Sequence, residues 1–343
     1  MGFCLKTTFR PLLYTLLFST ILVGCDDDVK RIDTSGIDIS VTVDRFDESL
    51  NSISSNGIDL NELIELKTNY SQFFPLFVQG AIRVAGPNDS VTAIGLSRFV
   101  LDSSISQVAD TVRLVYADMR KVEAELTEGF KHFSYYFPEK VIPKVVSFYS
   151  GFNYAQVADD SLLAIGLDMY LGANCSYYPL LGFPKYRFRN MTPDQISVDA
   201  MYSWLTTEYE LQSGGNLLSQ MIYFGKIHLA LCYLLPDQPK HKSFGYSAEQ
   251  LAWCLNNEAE IWSFLIDQEL MYTNDNGKIR KFIGEGPFTA GFSEDAPSKL
   301  GQFIGWRIAQ SFMKNQPKVS LQELLELSDA QQLLNESNYK PNR

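Results

Sequence analysis

The chain has 343 residues, 45% of them apolar and 13% aromatic, and carries 29 Lys and Arg against 40 Asp and Glu, a net charge of −11. That acidity argues against nucleic acid as a partner, since phosphate binding needs a basic stripe, and against adhesion of the protein surface to anionic lipid. The apolar share suffices for a large core, so about 300 folded residues make one large domain or two intimate ones.

The first thirty residues read as an export signal. Lys6 and Arg10 form a basic n-region, and the apolar run Leu12 to Val23 is short and poorly flanked for a membrane span. It ends at Leu22-Val23-Gly24-Cys25, which resembles a bacterial lipobox. The resemblance implies that residues 1–24 are cleaved as a signal peptide and that acylated Cys25 becomes the first residue. Cleavage removes Lys6 and Arg10, taking 29 basic residues to 27 against 40 acidic ones, a net charge near −13. Each buried acyl methylene gains about 0.8 kcal/mol, so several chains on Cys25 anchor the protein permanently. Residues 25–36 form an acidic tether with Asp26-Asp27-Asp28, either a signal sorting the lipoprotein outward or a solvated spacer. The expected place is the cell envelope, with the outer membrane favoured over the inner.

Residues 37–343 are expected to form a single globular domain, with a helix and a small sheet over 37–175 and helices over 176–343. Alternation of Ile37, Ile39, Val41 and Val43 with polar residues predicts a half-buried strand over Ile37 to Phe46. Asn61 to Tyr70 predicts a helix closing on the aromatic turn Phe73-Phe74-Pro75-Leu76-Phe77. Val108, Val112, Val115, Met119, Val122, Leu126 and Phe130 predict one long amphipathic helix ended by Pro138. Three β-rich runs follow, Lys144 to Tyr149, Tyr154 to Asp159 and Ser161 to Tyr170, with turns at Gly151 and Asp159-Asp160. Beyond Thr192 the chain reads as capped helices. Thr192 with Gln195, Ser247 with Gln250, Ser320 with Glu323 and Ser328 with Gln331 have capping-box spacing, and Asn216 opens a helix reaching Pro236.

Chemistry is sparse. His132, His228 and His241 are the only histidines, none at metal spacing, and there is no nucleophile elbow, phosphate loop or dinucleotide fingerprint. Neither a metal nor another cofactor is therefore expected. Cys232 and Cys254 read as small buried hydrophobes, with one disulfide still open to the chain. Glu258 falls in an apolar stripe with Leu251, Leu255, Ile261 and Leu265, so it needs a partner, and Arg307 and Lys226 are the candidates. Asp168 and Asp199 would face one cleft if the helix after Thr192 packs on the strand before Asp168. Gly301 and Gly305, four apart, let another helix approach closely. Two loops rich in aromatics, Ser176 to Asn190 with its arginines and Gly284 to Pro297, are either partner-contact surfaces or irregular core cover.

Several strings together resemble the GldB gliding-motility lipoproteins. They are Val43-Asp44-Arg45-Phe46-Asp47, Ile165 to Gly172, Met221-Ile222-Tyr223-Phe224-Gly225-Lys226, Trp253 with Asn257-Glu258 and Ile261-Trp262, Pro287-Phe288-Thr289, Gly305-Trp306-Arg307-Ile308 and Ser337-Asn338-Tyr339-Lys340-Pro341. The likeness runs from about Asp38 to the C-terminus. It implies an envelope lipoprotein associated with gliding and the secretion machinery that serves it, and it carries over no catalytic residue. A more distant likeness is to zincin-type metallopeptidases, whose two helices supply the zinc ligands. The corresponding stretches here, Asp199-Ala200-Met201-Tyr202-Ser203-Trp204 and Tyr223-Phe224-Gly225-Lys226, lack the usual ligands.

The expected fold is α+β, predominantly α-helical, a small sheet packed on helices in a degenerate zincin-like architecture. The expected function is a non-catalytic binding or scaffold role, with partners that are the membrane through Cys25 and other envelope proteins. Candidate cleft or interaction residues are Asp168, Asp199, Tyr223, Lys226, Glu258 and Arg307. Two alternatives stay open: a hydrolase using Asp168, Asp199 or Glu258, and a ligand-binding protein with a cleft around Glu258 and Lys226.

Overall fold

The alternating segment at residues 37–46 contributes only a three-residue strand. In the computed structural model, which describes residues 31–342 except 54, 55 and 213, β1 covers Val43–Arg45 and runs straight into α1, Phe46–Asn51. Upstream, Val41 donates its amide to Thr127 Oγ1 and Val43 to Glu123 Oε1, both at 2.9 Å. Side chains of a neighbouring helix thus satisfy a segment that patterning alone assigns to a ladder. The signal segment and Cys25 lie outside the described residues.

Helix α2, Leu60–Asn69, starts at an Asp59 capping box. The aromatic turn is helical throughout, α3 at Phe73–Pro75 continuing as a π-helical turn over Leu76–Ala81. Phe46, Phe73, Phe77 and Phe148 meet there at ring separations of 4.8–6.2 Å. Helix α4, Asp89–Leu101, follows, then the segment expected as one long helix, which divides into α5, Ser103–Val115, and α6, Arg120–Tyr136. Tyr116 fixes the break. Its hydroxyl donates to Tyr170 O at 2.5 Å and its carbonyl accepts from Arg45 Nη1 at 2.9 Å, which holds its backbone outside helical geometry.

The sheet has the order β1-β2-β4-β3, with β2 at Lys144–Phe148, β3 at Gln156–Asp159 and β4 at Leu162–Gly166. β1, β2 and β4 run parallel, and β3 returns antiparallel to β4 in the register Val157 to Ala164. All five residues of β4 are buried, as the central strand of a sheet covered on both faces requires. The run expected as strand to Tyr170 stops at Gly166 and coils into a 3-10 turn, Leu167–Tyr170. At Gly166 a Cβ would lie 2.0 Å from Tyr154 O, so the close chain approach that ends the strand needs glycine.

The second half is helical: α7 at Tyr177–Leu180, α8 at Ile196–Glu208, α9 at Leu217–Leu234, α10 at Ala248–Asn256, α11 at Glu258–Asp267, α12 at Asn276–Ile283, α13 at Leu300–Asn315, α14 at Leu321–Glu326 and α15 at Ala330–Ser337. Asn216, Ser247 and Ser320 cap as their spacing predicts. Thr192 makes no side-chain cap, and Asp329 rather than Ser328 caps α15. Helix α9 passes a length-and-hydropathy test for a membrane span yet is mostly buried as the central core helix, packed along α13. A Cβ on Gly305 would sit 1.7 Å from Met221 O, and one on Gly225 would sit 2.0 Å from the Gly305 carbonyl carbon. The two backbones touch, and Gly301 meets α12 at Phe282 instead. Among the described residues Cys175, Cys232 and Cys254 form no disulfide, and burial pushes the Cys232 thiol up to about 11.

Candidate functional site

A cavity of about 620 Å³ opens beside α8, at the free edge of the sheet. Ala155 and Gln156, leading into β3, form one wall, and α8 presents Asp199 and Tyr202 as another. Arg187 and Arg189 come from the loop after α7, Glu285 from the loop after α12, and Lys299 and Gln302 from the start of α13. Both aromatic loops singled out in the sequence therefore border the same cavity. They also serve the core: Tyr178 is fully buried and its hydroxyl accepts from the Leu171 amide at 2.7 Å.

Asp199 is built into the cleft wall. Its Oδ1 accepts from Gln195 Nε2 and its Oδ2 from the Tyr170 hydroxyl, each at 2.9 Å. Gln156 Nε2 donates in turn to the Tyr170 hydroxyl, so edge strand and carboxylate are joined through one phenol. Neighbouring groups take part of the water from this half-buried carboxylate, and that loss raises its pKa to about 6, against the lowering effect of the Gln195 and Tyr170 donors. The pattern read as a cap box at Thr192 to Gln195 thus places Gln195 in the wall, where it also donates to Lys242 O at 3.1 Å.

His228, on α9, stacks on Phe244 at 4.0 Å and has Nε2 2.6 Å from Gln302 Oε1. Since the Gln302 amide nitrogen donates to Ile283 O, its oxygen accepts and His228 Nε2 donates. Burial lowers this imidazole to about 3, so it stays neutral. On the rim the cations are unevenly matched. Glu285 is shared by Lys299 at 3.4 Å and Arg187 at 3.7 Å. Arg189 has no hydrogen-bond or ion-pair partner among the described residues, and burial lowers its pKa.

Of the residues proposed from sequence, Asp199 alone lines this cavity. Asp168 lies elsewhere because the chain coils after Gly166: its fully buried carboxylate accepts from the Ser150 amide at 2.9 Å and the Phe152 amide at 2.6 Å. It holds the turn in which Gly151 and Phe152 take positive φ, and burial raises its pKa to about 6. Tyr223 donates to Tyr209 O at 2.8 Å, closing the end of α8. Lys226 donates to Leu325 O and Leu327 O at 2.9 and 2.7 Å, closing the end of α14, and desolvation lowers it to about 8.

Lys226 is therefore not the partner of Glu258; Arg307 is. Arg307 Nε lies 3.1 Å from both Glu258 oxygens, and the Tyr339 hydroxyl donates to Oε1 at 2.8 Å. The helix expected through Glu258 breaks at Asn257, whose side-chain amide donates to Trp253 O at 2.7 Å. Glu258 so starts α11, where the helix dipole favours its charge. Strings far apart in sequence, at 257–262, 305–308 and 337–341, meet in this one buried cluster, with Trp262 edge-on to Tyr339 at 5.2 Å. The string at 43–47 is similar in kind: Arg45 grips buried Asp47 through two hydrogen bonds at 2.9 and 2.7 Å, and Ser147 on β2 donates to the same carboxylate.

The profile of the gliding motility protein GldB matches residues 27–341, nearly all of the chain and all of these clusters. The chain belongs to the GldB family. No curated protein and no solved structure gives a significant match. The family's name associates this GldB chain with gliding motility and marks it as an envelope lipoprotein. Sequence reasoning missed Gln156, Tyr170, Gln195, Arg189 and Lys299 in this GldB cleft. Only the arginines carried a signal, as part of the loop after Ser176. Among the described residues no three His, Cys, Asp or Glu side chains gather as a metal-ligand set.

Proposed function

We propose that the protein is a lipid-anchored envelope component of the gliding machinery and its secretion apparatus, and that it works by binding another envelope protein in the cleft beside α8. The observation that carries this reading is the meeting of both aromatic loops on that one cavity, with Arg189 unpaired among the described residues. The polar groups there are bonded to each other: Asp199 accepts on both oxygens and His228 donates to Gln302. Groups held this way shape a wall, and His228 Nδ1, which has no hydrogen-bond partner among the described residues, belongs to an imidazole that burial lowers to about 3, far below what a general base at neutral pH needs. An antiparallel edge strand beside the helix that lines the cleft supports the degenerate zincin-like layout.

Lipid attachment rests on the lipobox ending at Cys25 and on the family's lipoprotein name. We place the protein in the outer membrane. Two measurements test the proposal: acyl-chain labelling with mass spectrometry of the mature N-terminus, and crosslinked pull-down from native envelope. The wild type should carry acyl chains on Cys25 and retain one envelope partner. Cys25→Ala should lose both. An unmodified mature N-terminus would refute the anchor, and hydrolysis of envelope peptides by the purified chain would refute the non-catalytic role.

A further inference from the structure

β3 has one strand neighbour among the described residues, and no backbone hydrogen bond is made to its other edge there. Which of its backbone groups face outward follows from the register. Gly166 donates its amide to Ala155 O at 2.8 Å, and the ladder pairs Gln156 with Ile165 and Ala158 with Leu163. In an antiparallel pair, hydrogen-bonded residues alternate with residues whose N–H and C=O point away. Residues 155, 157 and 159 therefore bond to β4, and Gln156 and Ala158 turn their backbone donors and acceptors to the other edge. Unpaired groups of this kind receive an extended chain by strand addition, main-chain bonds giving affinity and flanking side chains giving specificity.

The edge meets the cavity at Ala155 and Gln156. Across that cavity the charges run against the whole molecule. The chain is acidic, with a net charge of −11, yet the cavity is lined by Arg187, Arg189 and Lys299 against Asp199 and Glu285. Glu285 already serves Arg187 and Lys299, and Asp199 is occupied by Gln195 and Tyr170, which leaves Arg189 unanswered. The Arg189 guanidinium, exposed at the cavity rim, is matched best by a carboxylate, which it grips with two parallel bonds. Apolar side chains are exposed on the bordering loops, Leu180 at 82%, Leu181 at 54% and Phe288 at 42%. They suit a partner that brings apolar residues next to its acidic one.

We infer that the cleft takes an extended peptide segment of a partner protein, paired through its main chain with Gln156 and Ala158 and carrying one carboxylate onto Arg189. This rests on the binding role proposed above and names what is bound. The carboxylate comes from an Asp or Glu side chain or from a chain end, and the acidic remainder of the surface disfavours segments with many charges.

The test selects ligands for the purified mature chain from random twelve-residue peptides on beads, made in two forms, C-terminus linked and C-terminus free. Selected peptides should share one Asp or Glu in the linked form, or need only their free terminus in the other. Replacing that acid by its amide, or methylating alternate backbone nitrogens, should cost at least tenfold in affinity. Two protein variants complete the test. Arg189→Ala should lose at least tenfold for acidic peptides alone. Ala158→Pro removes one outward N–H and no ladder bond, so it should keep the wild-type melting temperature and lose at least tenfold for all of them. No enrichment, a neutral or basic consensus, or methylation without effect would overturn the inference, and the methylation series decides it even if a variant fails to fold. A crosslinked envelope partner at the cleft rim, with every peptide arm negative, would overturn strand pairing alone and leave the binding role standing.

Discussion

Asp168 shows how one buried carboxylate links structure to pH. Unfolded, it releases its proton near 3.8; folded, burial raises that to about 6. Between those values the native state holds a proton that the unfolded chain has lost, so the contribution is fully present below about pH 4 and disappears as pH rises to 6. At about 1.4 kcal/mol per unit the loss is roughly 3 kcal/mol. Urea unfolding of the wild type and Asp168→Asn should show the difference between them changing by that amount from pH 4 to pH 7, and a constant difference would contradict the assignment. Arg307 offers a second test. Its removal strands Glu258, a fully buried carboxylate, so Arg307→Met should destabilise by about 4 kcal/mol. Glu258→Met with Arg307→Met should recover part of that loss, because no lone buried charge remains.

Among elements, the α9 and α13 crossing is the most constrained. A Cβ at Gly305 meets backbone, which cannot rotate aside as a side chain would. Gly305→Ala should cost about 3 kcal/mol in thermal or urea unfolding. Gly80→Ala, in open space on the π-helical turn, should be neutral or slightly stabilising. A Gly305 variant as stable as the wild type would show that the helices are not in contact there. The close approach at Gly305 was readable as a small residue on an apolar helix, although Gly301 four before it meets α12 instead, and the caps at Asn216, Ser247 and Ser320 were readable too, because both are local patterns. The breaks at Tyr116 and Asn257 were not readable. Each is set by bonds at which apolar periodicity carries on undisturbed: Tyr116 to Tyr170 and Arg45, and Asn257 to Trp253.

For the whole molecule, most of the family strings turned out to mark the scaffold, while Met169, Tyr170 and Phe224 from two of them line the cleft. Arg45 with Asp47, Gly225 with Gly305, and Glu258 with Arg307 and Tyr339 hold distant segments together, and none of these residues lines the cleft. Of Asp168 and Asp199, which the sequence set in one cleft on condition that helix and strand pack together, Asp199 lines the cavity and Asp168 does not. The neighbours of Asp199, Gln156, Tyr170, Gln195 and Arg189, come from four separate segments, and only folding brings them together. The most direct test of the binding role is site-specific photocrosslinking in native envelope. A benzoyl-phenylalanine at Leu180, on the loop that walls the cleft, should trap one discrete partner in wild-type cells and none in Cys25→Ala cells. The same probe at Leu114, equally exposed on α5, should trap nothing discrete. Identical adducts at both positions, or an adduct at Leu180 that survives loss of the anchor cysteine, would contradict the account.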